Sequence, residues 1–171
     1  MLWVIVLVVI VVLLLILLVA MYNRLVRLRN RTENSWAQVD VQLRRRYDLI
    51  PNLVEAVKGY ASHERSTFDE VTQARTAAQQ AQGVEDKAQA ENVLTAAIGR
   101  LFAVAEAYPQ LRASEAAGEL IATLKDVEGD LRRARMVYNR TVQTYEDARQ
   151  TFPSSLVAGA FRFGPLPYFA D

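Results

Sequence analysis

The sequence predicts an all-α protein in which one N-terminal transmembrane helix continues into an antiparallel bundle of three to four long helices. Three observations predict it. An unbroken apolar run opens the chain, apolar residues then recur at steps of three and four, and no strand-like alternation competes with that period.

The opening run is Leu2 to Met21, 20 apolar residues without a charge, Gly or Pro. As a helix it is about 30 Å long, the thickness of a bilayer's hydrocarbon core. A cleaved signal peptide is the competing reading. It calls for a basic start, a shorter apolar stretch of about 7–15 residues and small residues before the cut. Nothing basic precedes Trp3 except the α-amine, and Leu18 is wrong for a small-residue site ending at Ala20. An uncleaved single-pass anchor is the expectation. Arg24, Arg27, Arg29 and Arg31 follow at once, and a Lys/Arg-rich flank stays cytoplasmic, so the N-terminus is expected outside and the bundle inside.

Beyond the anchor, Leu25, Leu28, Thr32, Trp36, Val39, Leu43, Tyr47 and Ile50 form one helical stripe. No Pro occurs before Pro51 and no Gly before Gly59, so the anchor can run straight into the first soluble helix. Pro51 can kink or restart that helix, because it lacks an N–H and crowds the preceding turn. The stripe resumes with Leu53, Val57 and Tyr60, then Phe68, Val71, Ala74 and Ala78, and Gly83 suits a stop or loop. A third helix is expected from about Asp86 to Pro109, with Leu94, Ala97, Ile98, Leu101, Ala105 and Tyr108 on one face.

The last helix carries the strongest signal. Leu120, Leu124, Val127, Leu131, Ala134, Tyr138, Thr141, Tyr145, Ala148 and Phe152 alternate steps of four and three, a heptad seam of a helix lying nearly parallel to its neighbours. Pro153 closes it, and Ser154 to Asp171 reads as an irregular tail. The resulting organisation is an anchor at residues 1–22, a bundle at 23–151 and an aromatic C-terminal tail at 152–171.

Charge excludes some functions. With 20 Lys+Arg against 19 Asp+Glu, overall charge indicates no nucleic-acid partner. The basic excess is local: Asn23 to Tyr60 holds eight basic and four acidic residues. There is no Cys and one His, His63, which removes disulfides, thiolate metal sites and a multi-histidine site within one chain. Glu-x-x-His spacing is absent, so the di-iron bundle signature is missing too. Ser62-His63-Glu64 offers triad residue types, but neighbours on a helix point about 100° apart and form no triad. No cofactor or small-molecule substrate is expected.

Three regions invite a sharper reading. Arg24 to Arg31 can touch acidic lipid headgroups, whereas Arg44, Arg45 and Arg46 lie about 30 Å farther along a rigid helix, beyond the Debye length of ~8 Å. A solvated face or a protein partner suits that triplet better. Asp48 and Asn52 flank Pro51 either as a recognition surface or, the favoured reading, as side chains satisfying backbone groups that Pro51 frees. Phe161, Phe163, Tyr168 and Phe169 crowd the tail among Gly and Pro, where packing on protein is the default.

Several stretches resemble the LemA family. They are Tyr22-Asn23-Arg24-Leu25-Val26, Trp36-Ala37-Gln38-Val39-Asp40 and, above all, Arg45-Arg46-Tyr47-Asp48-Leu49-Ile50-Pro51-Asn52-Leu53-Val54. Leu101-Phe102-Ala103-Val104-Ala105-Glu106-Ala107-Tyr108-Pro109 and Thr151-Phe152-Pro153-Ser154-Ser155-Leu156-Val157-Ala158-Gly159 agree as well. The resemblance runs in order from about Tyr22 to the C-terminus. It implies a bacterial membrane-anchored antiparallel bundle with no established catalytic activity and no active site to transfer. Some similar proteins replace this anchor with a lipoprotein signal and Cys, which would put the domain outside the cytoplasm; this chain lacks that Cys.

The functional expectation is a non-enzymatic interaction or scaffold protein at the bacterial inner membrane, a homo-oligomer able to engage other membrane proteins. The alternative is an accessory sensor or regulator of a membrane enzyme such as a protease, and an autonomous hydrolase comes third. Apolar residues off the stripes, Val41, Val137 and Val142 among them, are expected to widen the core or to meet a neighbouring copy, with the tail bridging copies.

Overall fold

A computed structural model describes residues Met1–Ala170, and all the regular structure among them is helical. Helix α1, Leu2–Lys58, is continuous for 57 residues, about 85 Å at the α-helical rise. A 3-10 turn, Ser62–Glu64, leads into α2, Arg65–Gln80. Next come α3, Val84–Ala107, the short α4, Pro109–Ala113, the long α5, Glu115–Gln150, and α6, Ser154–Ala160.

The anchor segment Leu2–Ala20 is exposed along its whole length, and burial begins one turn later. From Leu25 the predicted stripe turns inward: Leu25, Leu28, Thr32, Val39, Leu43, Tyr47 and Ile50 are buried and Trp36 is half-buried. The partner of that stripe is α5, which runs antiparallel. Arg46 meets Glu128, Trp36 meets Tyr138, and Leu25 shares a cluster with Tyr145 and Ala148. The seam residues Leu124, Val127, Leu131, Tyr138, Tyr145 and Ala148 are buried there.

The other two helices form a hairpin whose small residues allow close approach. Ala74 and Ala78 of α2 and Ala88 and Ala97 of α3 are all in the main core. Gly83 makes the turn at φ +78°, a conformation that side chains with a Cβ rarely adopt. Glu85 and Asp86 then lie in the first turn of α3, where carboxylates complement the helix dipole. Pro109 opens α4 at a position that needs no N–H, and Ser114 caps α5 by accepting from the Ala117 N–H at 3.4 Å.

The structure departs from expectation at three places. The helix does not restart at Pro51, which lies inside α1. Its missing N–H leaves the Tyr47 carbonyl without a helical donor, and Arg75 Nε from α2 donates to that oxygen at 2.7 Å. Asp48 and Asn52 are exposed, so the backbone repair expected of them is made by Arg75. Residues 154–171 are not irregular throughout, because Ser154–Ala160 is helical. Finally, the seam ends at Ala148; α5 stops at Gln150, and Phe152 is 75 % exposed.

Candidate functional site

Two polar constructions and one basic collar are the features from which function can be argued. The first construction surrounds Arg46. Its side chain is 0 % exposed, because Arg46 occupies the apolar stripe of α1 between Leu43 and Ile50. Nη1 donates to Thr95 Oγ1 at 2.8 Å and to Glu128 Oε1 at 3.0 Å. Nη2 donates to the Glu91 carbonyl at 3.2 Å and to the Glu91 carboxylate, which also accepts from the Tyr47 hydroxyl. Burial pushes the Glu91 carboxyl above its ordinary range; the Arg46 charge opposes that shift and Glu128 adds to it. The outer edge opens into a cleft of about 310 Å³ lined by Thr95, Glu128, Arg132 and Asn139 among others. A buried ion pair of this kind holds helices α1, α3 and α5 in one register, since shifting any of them strands a charge.

The second construction holds the tail. Tyr138-Asn139 and Tyr145-Glu146 recur seven residues apart, so both pairs face one side of α5. The Tyr145 hydroxyl donates to the Gly164 carbonyl at 2.8 Å, and the Tyr138 hydroxyl to the Pro167 carbonyl at 2.7 Å. Glu146 Oε1 accepts the Leu166 N–H at 2.9 Å, while Asn139 takes both the N–H and the carbonyl of Phe169 at 2.8 and 3.0 Å. Seven helical residues rise about 10 Å, which three extended residues also span, so the spacings match. Pro165 and Pro167 bring no N–H, which spares the strap two donors. Burial pushes the Tyr138 phenol up to about 12. Burial also pushes Glu146 up, but Arg149, the Leu166 N–H and Gln150 hold it net below its ordinary range.

Phe169 is 0 % exposed, with Arg135 over its ring at 4.2 Å, and Phe163 is buried under Arg29 at 5.1 Å. These two residues therefore pack on their own bundle. Phe161 and Tyr168 stay exposed.

Arg24, Arg27 and Arg31 line one groove with Leu28 and Thr144, next to the anchor, whereas Arg29 turns to the tail. The later triplet divides. Arg44 pairs with Asp40 at 2.9 Å and Arg45 with Asp130 at 3.6 Å on the surface, and Arg46 is interior. Arg44, Arg45, Arg46, Asp48 and Asn52 thus do not form one recognition surface. His63 is exposed on the 3-10 turn, and no group of three His, Cys, Asp or Glu able to hold a metal occurs among the described residues.

Sequence reasoning missed Glu91, Glu128, Arg75 and the Asn139/Glu146 clamp. One signal was available: Arg46 and Glu91 are opposite charges that each sit on an apolar stripe.

The LemA family model matches residues 35–171, from just before Trp36 through both polar constructions to the C-terminus. The chain belongs to the LemA family. Among curated relatives, this LemA protein is 25% identical to magnetosome protein MamQ 2 of Paramagnetospirillum magneticum over 176 aligned positions. Magnetosome protein MamQ 1 of the same organism matches equally, and MamQ of Magnetospirillum gryphiswaldense is 24% identical. Each alignment covers 88% of this chain and 65% of the relative, so the chain spans just under two thirds of their length. With its exposed apolar N-terminal helix, this is a membrane-associated LemA-family protein. Neither the family nor MamQ is known for an enzymatic activity.

Proposed function

We propose that this LemA-family chain is a non-enzymatic, membrane-anchored interaction protein that self-associates side by side in the bacterial inner membrane. The observation that carries the reading is where apolar surface is left over. Val41 of α1, Val93 of α3 and Met136 and Val137 of α5 stay exposed on the bundle although the tail is already docked. Anchoring confines copies to one membrane, so weak apolar contacts gain effective concentration without new affinity. The densest charges are spent inside the fold on Arg46, which supports a structural rather than a catalytic use of them.

Light scattering on full-length protein in mild detergent tests this reading. A multiple of the chain mass is expected, falling toward one chain in the double variant Met136→Glu, Val137→Glu. A monomeric wild type would sink it. A monomer that co-purifies with a membrane enzyme would favour the accessory-regulator reading instead.

The orientation follows from the arginine collar: N-terminus out, bundle in the cytoplasm. Ser62 is exposed and the chain has no Cys, so Ser62→Cys is a clean reporter. An impermeant maleimide should leave it unlabelled in intact spheroplasts and label it after lysis. Ready labelling of intact cells would reverse the orientation.

A further inference from the structure

The corner between α5 and α6 sits beside the membrane anchor itself. A cleft of about 370 Å³ is lined by Leu17, Met21, Arg24, Asp147, Phe152 and Pro153, among others. Leu17 and Met21 belong to the apolar run, so this corner reaches one helical turn back along the segment that spans the bilayer. The far end of α6 is tied to the same level, because the Phe161 ring packs edge-on against Tyr22 at 4.9 Å between centroids. Both ends of α6 are therefore placed where the anchor leaves the hydrocarbon.

The side chains there suit that place. Ser154, Val157 and Ala158 turn α6 onto the bundle, and Phe152, Leu156 and Phe161 are 75 %, 64 % and 52 % exposed. In water such a cluster is unexplained apolar surface. Next to a bilayer it matches the aromatic and apolar residues that sit at the membrane interface. Charge agrees with the same occupant. Arg24 lines both this cleft and the groove it shares with Arg27 and Arg31, so cations rise from the corner toward the headgroup level.

We propose that the α5–α6 corner is a second membrane contact, a foot in which Phe152, Leu156 and Phe161 enter the lipid interface beside the anchor. A bundle held at two points cannot swing freely about α1, which fixes the tilt at which its flanks meet other molecules. This foot does not depend on self-association, and its test reads it separately.

The test is spin labelling of full-length protein in vesicles of equal phosphatidylcholine and phosphatidylglycerol. The Cys-free chain takes single labels at Leu156→Cys and Phe161→Cys, with Ser62→Cys and Gln73→Cys as exposed controls on the bundle, away from the apolar residues proposed to meet other copies. Collisions with oxygen, which partitions into lipid, are expected to exceed those with an aqueous nickel chelate at 156 and 161. The order should invert at 62 and 73. Aqueous accessibility at 156 and 161 equal to the controls would overturn the foot. So would shielding from both reagents, which would mean a protein covers the corner. Agreement of both labels, each at an already exposed position, guards against one misfolded variant.

Discussion

In the half of the bundle away from the anchor, α5 gives Glu128 to a guanidinium that water does not reach. Ten to eighteen residues later, the same helix gives Tyr138, Asn139, Tyr145 and Glu146 to the backbone of a strap at the surface. In the first region charge meets charge, and each partner depends on the others to offset desolvation. In the second, side chains satisfy peptide groups that solvent could also serve, so each bond contributes modestly. One helix thus carries both a buried register lock and a hydrogen-bonded clamp on the tail, according to what surrounds its polar residues.

The sharpest way to break that contrast is Arg46→Ala, which strands the buried Glu91 carboxylate. We expect a loss of about 3–5 kcal/mol in denaturant unfolding of the detergent-solubilised protein. Arg46→Lys should not restore it, since an ammonium lacks the planar fork that reaches Thr95, Glu91 and Glu128 together. A loss below about 1 kcal/mol for Arg46→Ala would demote the network to an ordinary surface pair.

Between the two regions lies the seam. Leu131→Ala, at a buried position, should cost about 2–5 kcal/mol. Arg132→Ala, exposed one step away, should stay within about 0.5 kcal/mol. Equal shifts for the two would remove the seam from the core.

The clamp should give less. Tyr138→Phe removes one bond to the Pro167 carbonyl and should cost about 0.5–1.5 kcal/mol. Hydrogen exchange should quicken at the Leu166 and Phe169 amides while the amides of α3 stay protected. Uniform deprotection would mean that the strap is part of the global fold.

The smallest effect sharpens the comparison by sign. Glu91 has a raised folded value, so its stabilising contribution is full below the ordinary 4.5 and is lost as pH rises through the raised value. Glu91→Gln should therefore improve relative to wild type as pH increases from about 4.5. Glu146 has a lowered value, so its contribution is full above 4.5 and is lost as pH falls through the lowered one. Glu146→Gln should draw level with wild type in acid. Parallel pH trends for the two variants would contradict the opposite environments.

Much of the fold was legible because its cause is local. The 20-residue apolar run, the stripe from Leu25 to Ile50 and the seam from Leu120 to Ala148 are periodicities of a single helix. Gly83 and Pro109 mark breaks that backbone sterics alone require. The site was less legible, because its residues lie far apart in the chain. Arg46 reads as the third arginine of a surface triplet until Glu91 and Glu128 arrive from two other helices. Pro51 reads as a kink or a restart until Arg75 supplies the donor that its ring removed.

The apolar N-terminal helix, the helical class, the faces of the long helices and the family resemblance are all written in the order of the residues. Tertiary structure alone decided which charges are inside, that the tail lies on its own bundle, and that α6 stands beside the anchor. The physical reason is the range of the interactions: helix periodicity is written within a few turns, whereas the pairing of a buried charge or a strap depends on which distant segment fills the space beside it.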